Sequence, residues 1–389
     1  MCREDRIPGG ESGDIVRVLQ FGKFYPPHIG GIEKVMYEIT EGLNERGIHC
    51  DVLCSNDRNE YVEETTESHR VIRTRSYGIC LSTSISPQLV FKLLQIHGDY
   101  DIIHVHLPDP MATMALFLSR PDAKVVLHWH NDIVRQRLLL KLLMPFQGWM
   151  LRRADAVVTT SPNYIGGSLH LAPYRDKCFV VPIGVEKTHL EVSQETVDRI
   201  RGNHAGKRIV FSIGRLSHYK GYKYLIEAGR YLGDDYVILI AGPGPLKGRL
   251  LRQIKEQGLA DKVFLIGPIR YEEVGSYYEA CDIFCLSSIS RNEGFGLVQV
   301  EAMLFRKPVV STDVKGSGIT WANIHGETGL VVRPEDSRAL ADAIESICSD
   351  QSRYQTMAAN GYRRATEQFT REKMLSSTID LYRRILGTV

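Results

Sequence analysis

Short apolar runs recur along this chain, and most are followed by a turn and then by a segment whose apolar residues return every three or four positions. Residues 16–21 (Val-Arg-Val-Leu-Gln-Phe) read as a first buried strand. A turn-rich stretch, Gly22-Lys-Phe-Tyr-Pro-Pro-His-Ile-Gly-Gly31, leads into a helix with Ile32, Val35, Met36, Ile39 and Leu43 on one face. Residues 50–54, 71–73, 102–105, 124–127, 156–159 and 178–181 are the next strand candidates, and helical stretches separate them. The rhythm restarts with a strand at 209–213, a loop from Gly214 to Gly221 and a helix from Tyr222. It continues through 237–241 and a strand ending at 264–267, and residues 335–389 are helical by periodicity. Strand alternating with helix predicts an α/β fold of mostly parallel sheets with helices on both faces. Ligands of such sheets bind beyond the carboxyl ends of the strands.

Composition narrows the class. A chain of 389 residues suffices for two or three domains, and 43% hydrophobic with 24% charged residues is ordinary globular material. The net charge of +2 is too small for a broad nucleic-acid footprint. No apolar run approaches the ~20 residues of a membrane span. Residues 1–14 lack the apolar core of a signal peptide and read as a loose extension, so a cytoplasmic location is expected. Of the eight cysteines, Cys50 and Cys54, like Cys281 and Cys285, sit four apart in strand-like runs. That spacing fits zinc poorly and predicts buried free thiols.

The richest chemistry lies in Ser290-Arg-Asn-Glu-Gly-Phe-Gly-Leu-Val-Gln-Val-Glu301. Leu297, Val298, Val300, Ala302, Met303 and Leu304 predict a mostly buried helix opening near Gly296. Its first turn offers backbone N–H groups and a partial positive charge, a setting suited to phosphate. Glu293 before the turn and Glu301 inside the helix place carboxylates within reach of hydroxyls on the same ligand. An anion flanked by polyol-binding acids points to a sugar nucleotide. A second loop, Gly214-Arg-Leu-Ser-His-Tyr-Lys-Gly221, sets Arg215 and Lys220 five apart after a buried strand. A guanidinium fork and an ammonium there can neutralise a diphosphate that gathers charge as it leaves. The first glycine loop is not G-x-G-x-x-G, which removes the main support for a nicotinamide or flavin enzyme.

Glu293-x7-Glu301, with Glu-Gly-Phe-Gly and the trailing Glu-Ala-Met, resembles the donor-site motif of the retaining glycosyltransferases of family 4, across roughly residues 15–387. The resemblance implies a GT-B fold: two Rossmann-like domains facing across a cleft, with a C-terminal helix crossing back to the first. The expected bounds are 15–185 for the acceptor-side domain, 186–368 for the nucleotide-sugar domain and 369–389 for the returning helix. It further implies that Glu293 contacts donor-sugar hydroxyls, and that Gly294, Phe295, Gly296 and Leu297 sit by the sugar and diphosphate. Glu301 holds the ribose, and Arg215 and Lys220, with Gly214, meet the diphosphate. Gly30 and Gly31 let the first domain approach the diphosphate, and Gly242 and Gly244 lie beside the nucleotide. Many relatives carry an acidic residue after a Gly-Gly pair where this chain has Ser317-Gly318-Ile-Thr-Trp321, which leaves the donor sugar open.

Two histidine pairs fall at strand ends, His104/His106 and His128/His130, each pair on one face of an extended strand. Four histidines raise the idea of zinc. The resemblance favours His130 meeting the transferred sugar or the acceptor, with His106 and Asp132 on the acceptor side and His104 structural. No metal or other cofactor is expected. Asp99-Tyr-Asp101 imitates a D-x-D metal motif but precedes a buried strand, so a solvated turn explains it better. Residues 134–153 mix a dense apolar set with Arg135, Arg137, Lys141, Arg152 and Arg153. Composition fits equally a buried helix with its charges in water and a basic helix lying on an anionic leaflet. The second option has Arg135, Arg137 and Lys141 facing the membrane from its cytoplasmic side. The expected activity is retaining transfer of a hexose from GDP-mannose or a UDP-hexose to a hydroxyl, on a polyprenyl-diphosphate-linked glycan of bacterial surface polysaccharide. A sugar-nucleotide epimerase of GT-B architecture and a non-catalytic sugar-nucleotide-binding protein are the competing readings.

Overall fold

The computed structural model describes residues 16–28, 30–80, 83–131 and 137–388. Two compact units emerge. The first takes Met1–Thr160, Ser168–Gly184 and Arg371–Val389, and the second takes Ser161–Gly167 and Val185–Thr370.

In the first unit the strands are β1 (Arg17–Gly22), β2 (His49–Ser55), β3 (Val62–Thr65), β4 (Arg70–Thr74), a small hairpin of β5 (Ile79–Cys80) and β6 (Thr83–Ser84), β7 (Ile102–Leu107), β8 (Lys124–Trp129), β9 (Ala156–Thr159) and β10 (Cys178–Val180). Eight of them form one sheet in the order β10-β9-β8-β7-β1-β2-β4-β3. Every pairing is parallel except that of β3 with β4. The central strands are buried on both faces, which is why they read as unbroken apolar runs. Cys50 and Cys54 are buried free thiols within β2. Asp101 accepts a hydrogen bond from the Arg17 backbone N–H at 2.8 Å, so it ties the start of β1 to β7.

The last helix, Arg371–Leu386, belongs to this unit and lies on the helix Gly31–Glu45. Arg371 pairs with Glu38 at 2.9 Å and grips Glu45 through two bonds of 2.7 and 2.8 Å. A Cβ at Gly42 would meet Leu375 Cδ1 at 2.3 Å, so the two helices approach through that glycine. The crossing-back of the chain end is therefore fastened by both charge and close packing.

The second unit holds β11 (Arg208–Ile213), β12 (Tyr236–Ala241), β13 (Val263–Gly267), β14 (Ile283–Leu286), β15 (Val309–Thr312) and β16 (Gly329–Val332). They form a parallel sheet in the order β13-β12-β11-β14-β15-β16. Leu225, Ile226, Leu340 and Ile344 from flanking helices bury against Ile238 and Ile240. This is the doubly wound 3-2-1-4-5-6 order, and its direction of winding reverses between β11 and β14. The connections after those two strands part to opposite faces there and leave a crevice at the carboxyl edge. Cys281 and Cys285 are buried free thiols. Among the described residues no helix is long and apolar enough to cross a membrane.

Candidate active site

The loops leaving β11 and β14 carry most of the expected donor-site residues. After β11, Gly214 leads to Arg215, which is exposed and makes no ion pair among the described residues. A short turn, His218–Lys220, ends at Gly221 with φ 67°, and the helix Tyr222–Ala228 starts there. A Cβ at Gly221 would sit 2.1 Å from the Ser287 carbonyl oxygen, so only glycine lets this loop lie against the one from β14. The Ser287 hydroxyl donates to the Lys220 carbonyl at 2.9 Å, and the Ile289 N–H to that of Tyr219 at 2.8 Å.

This contact buries Lys220 and aims it at Glu293. Lys220 Nζ lies 2.6 Å from Glu293 Oε2, with side-chain exposures of 8% and 11%. Ser288 donates to the same carboxylate oxygen at 2.9 Å. Burial acts to depress the Lys220 ammonium, but the Glu293 carboxylate, with Tyr219 and Tyr222, outweighs it and holds the group above its usual value. Lys220 is therefore a fixed cation. The Glu293–Gly294 turn is clamped from behind, where Ser317 Oγ donates to the Glu293 carbonyl and the Gly318 N–H to that of Gly294 at 2.7 Å.

The helix Leu297–Leu304 opens on Gly296 with φ 76°, and no side chain caps it among the described residues. The Gln299 N–H turns back to the Gly296 carbonyl at 3.0 Å, and those of Leu297 and Val298 are left for a ligand or solvent. Phe295 is 4% exposed and its ring packs on Trp321 and Phe369 at 6.0 and 5.5 Å, so it wedges the turn from within, while its carbonyl accepts from Gln299 Nε2 at 2.9 Å. Glu301 is buried and accepts from the Tyr278 hydroxyl at 2.9 Å. Gly242 and Gly244 follow β12; a Cβ on either would strike the backbone of Gly214 or Leu216, at 2.2 and 2.4 Å. They serve the packing of this loop cluster.

Ser288, Ser317 and Tyr278 were not among the expected site residues, yet they orient Glu293 and Glu301. The Ser287-Ser288 pair directly after a buried strand was the legible sign of the first. The segment Ser161–Gly167 also joins the second unit: Arg291 lies over the Tyr164 ring at 5.4 Å, and Asn163 Nδ2 donates to Thr320 Oγ1 at 3.1 Å.

In the first unit Gly30 caps the helix Gly31–Glu45 with extended backbone, and around Gly31 no described atom lies within 4 Å of an added Cβ. His104, His106, His128 and His130 form a stacked cluster on one face of β7 and the end of β8, with ring centroids 4.1 to 5.3 Å apart. The placement of His106 on the acceptor-side surface is corrected: it is 1% exposed, with one ring nitrogen on Gln20 at 2.8 Å and the other on His130 at 3.0 Å. It supports His130 and does not itself line a surface. Burial pushes His104 and His130 down to about 3, and His106 and His128 well below their ordinary value, so all four rings are neutral near pH 7. His104, His106 and His128 each offer an atom within 4.8 Å of the others. Of these, His104 and His128 share a hydrogen bond at 3.2 Å, and both ring nitrogens of His106 are engaged by Gln20 and His130. Asp132 and Arg135 lie outside the described residues; Arg137 and Lys141 fall in the helix Arg137–Arg153, whose side chains there are likewise outside them. Beyond the end of β8, a small cavity of about 30 Å³ is lined by Leu107, Pro108, Asp109, Trp129, Asn131 and Met150, among others.

Comparison with known proteins decides the family. Residues 29–189 match the model described as Glycosyltransferase Family 4, and 193–364 match Glycosyl transferases group 1. The O-antigen chain mannosyltransferase C of Escherichia coli is 32% identical over 95% of this chain and 99% of its own. The chain belongs to glycosyltransferase family 4. The D-rhamnosyltransferase WbpZ of Pseudomonas aeruginosa is 31% identical over 91% of this chain and 92% of its own. Among solved structures, Anabaena Alr3699/HepE in complex with UDP superposes with a TM-score of 0.77 at 21% identity, covering 95% of this chain and all of that one. This family 4 glycosyltransferase thus has the GT-B fold of two Rossmann-like domains, and it transfers a glycosyl group.

Proposed function

We propose that this glycosyltransferase moves a hexose from a nucleotide sugar to a hydroxyl of a lipid-linked glycan, with retention at the anomeric carbon, during assembly of a bacterial surface polysaccharide. One observation carries the reading of the site: Lys220, Glu293 and the uncapped start of Leu297–Leu304 meet at the switch point of the second sheet. A fixed cation, a hydroxyl-binding carboxylate and an array of N–H groups within one loop cluster are what a hexosyl diphosphate requires. In the proposed step the bond from the anomeric carbon to the diphosphate oxygen breaks, and a bond to the acceptor oxygen forms on the same face. The acceptor proton passes to the departing diphosphate, whose charge Arg215 and Lys220 balance. Glu293 holds sugar hydroxyls, Glu301 the ribose, and His130 a sugar or acceptor hydroxyl.

The names of the two relatives, a mannosyltransferase and a D-rhamnosyltransferase, favour a mannose-like hexose as the transferred sugar. The basic segment 134–153 is compatible with an acceptor on an anionic membrane face. Release of nucleoside diphosphate from GDP-mannose and from UDP-glucose, with and without a polyprenyl-diphosphate-linked glycan, tests the reading. Acceptor-dependent release with an axial product linkage is expected. Interconversion of the sugar without release, or binding without turnover, would refute it. Flotation with anionic vesicles tests the membrane arm, since the Arg135→Ala, Arg137→Ala, Lys141→Ala triple variant should bind less than the parent chain.

A further inference from the structure

The histidine cluster is not four separate rings but one chain of hydrogen bonds. His128 Nδ1 meets His104 Nε2 at 3.2 Å, and His104 Nδ1 meets the Tyr382 hydroxyl at 2.6 Å. Gln20 Nε2 lies 3.3 Å from that hydroxyl, Gln20 Oε1 lies 2.8 Å from His106 Nε2, and His106 Nδ1 lies 3.0 Å from His130 Nε2. All members are buried, and His130 at 6% is the most exposed of them. Strand register builds the chain: Gln20 on β1 stands beside His104 on β7, and His106 beside His128 on β8. Tyr382 arrives from the returning helix.

Neutral imidazole carries one proton on one nitrogen, so fixing any link fixes the rest. The distances choose the direction. An O–H donor makes shorter bonds than an N–H donor, and 2.6 Å marks the Tyr382 hydroxyl as donor to His104 Nδ1. The long 3.3 Å contact is then the Gln20 N–H donating to Tyr382, which leaves Gln20 Oε1 to accept from His106 Nε2–H. His106 Nδ1 must accept, so His130 donates from Nε2 and bears its lone pair on Nδ1. On the other arm His104 donates from Nε2 to His128 Nδ1, leaving the proton of His128 on Nε2. That atom is buried with no hydrogen-bond partner among the described residues, so the chain ends there.

We infer that Tyr382, Gln20 and His106 are positioning residues that hold His130 as the Nε2–H tautomer and so present its Nδ1 as an acceptor for a hydroxyl. The last helix thereby acts through the sheet on a histidine of the proposed site. The tautomer stands on the geometry of the first unit alone; its consequence for transfer rests on His130 meeting ligand, as proposed above.

The full chain labelled with 15N-histidine reports the tautomer of each ring by NMR. All four buried rings are expected in the Nε2–H form and unaltered between pH 8 and pH 6. A mixed set breaks the relay, and four Nδ1–H rings reverse it; either overturns the inference. Tyr382→Phe removes the link between the arms, lets the Gln20 amide turn, and should shift His130 toward a mixture of tautomers. KM for donor or acceptor should then rise roughly 2- to 10-fold, the worth of one hydrogen bond, while kcat changes less. Should Tyr382→Phe fail to fold, the spectrum of the unmodified chain still decides. A shifted tautomer with both KM values unchanged supports the relay and removes His130 from the proposed site, whereas an unshifted one overturns the relay.

Discussion

Removing one partner of the Lys220–Glu293 pair tests whether the donor-site loops are held together by charge. At 2.6 Å two unit charges attract by about 6 kcal/mol at an effective dielectric constant near 20. Desolvation opposes much of that, since both side chains are roughly nine-tenths buried. What remains visible is the cost of stranding one charge, about 3–5 kcal/mol, out of a total stability of about 5–15 kcal/mol. Glu293 would keep only the Ser288 hydroxyl in Lys220→Met, while in Glu293→Gln the ammonium faces a weaker amide oxygen. Each single change should lower the melting point of the second unit by roughly 6–20 °C. The double variant Lys220→Met, Glu293→Gln strands no charge and should be at least about 2 kcal/mol more stable than the sum of the singles predicts. Urea denaturation of the four proteins gives the cycle, and nucleoside diphosphate release gives the activity. Turnover should be lost in all three variants, including the stable double. If the stability effects add within about 0.5 kcal/mol, the pair does not hold the loops together.

Asp109 caps the helix Pro110–Ser119 through Oδ1, and burial pushes its carboxyl up to about 6. A folded-state value above the unfolded one gives stability that is full below about pH 4 and is lost as the pH rises through 6, about 3 kcal/mol in all. Asp109→Asn keeps the cap and should stabilise at pH 7 but not at pH 4, as read by urea midpoints. The four buried histidines act in the opposite sense: their folded values are depressed, so the stability they permit is present above about pH 6.5 and falls as the pH drops toward 3. Each adds roughly 1.4 kcal/mol per pH unit in that window, and a chain equally stable at pH 7 and pH 5 would contradict their burial. At Gly296, φ is 76° and a Cβ would meet Leu286 Cδ2 at 2.6 Å, so Gly296→Ala should cost about 1–2 kcal/mol and shift the helix start. A normal KM for the donor in that variant would remove the helix start from the site.

Most strands were legible because a strand buried on both faces is an apolar run, and the run is local. β3 (Val-Glu-Glu-Thr) and β16 went unread: β3 is an exposed edge strand of mostly polar residues, and β16 is a four-residue strand inside a polar stretch. Glu293, Glu301, Arg215 and Lys220 were readable as candidates from their loops. That Lys220 would be paired with Glu293, that Ser288 and Ser317 would brace the same turn, and that Phe295 would be a wedge were not.

Taken alone, the order of residues determined the repeating strand–loop–helix units, the glycine turns at their carboxyl ends, and the spacing of acids around one helix start. Those features are written within a few positions, where period and turn preference act directly. Tertiary structure alone decided which loops meet. The 3-2-1-4-5-6 order sets β11 beside β14, so a lysine and a glutamate far apart in the chain share one buried site. Likewise, three parallel strands and the final helix convert scattered Gln20, His104, His106, His128, His130 and Tyr382 into a single directed chain of hydrogen bonds, because each neutral ring accepts a hydrogen bond only where the next group donates one.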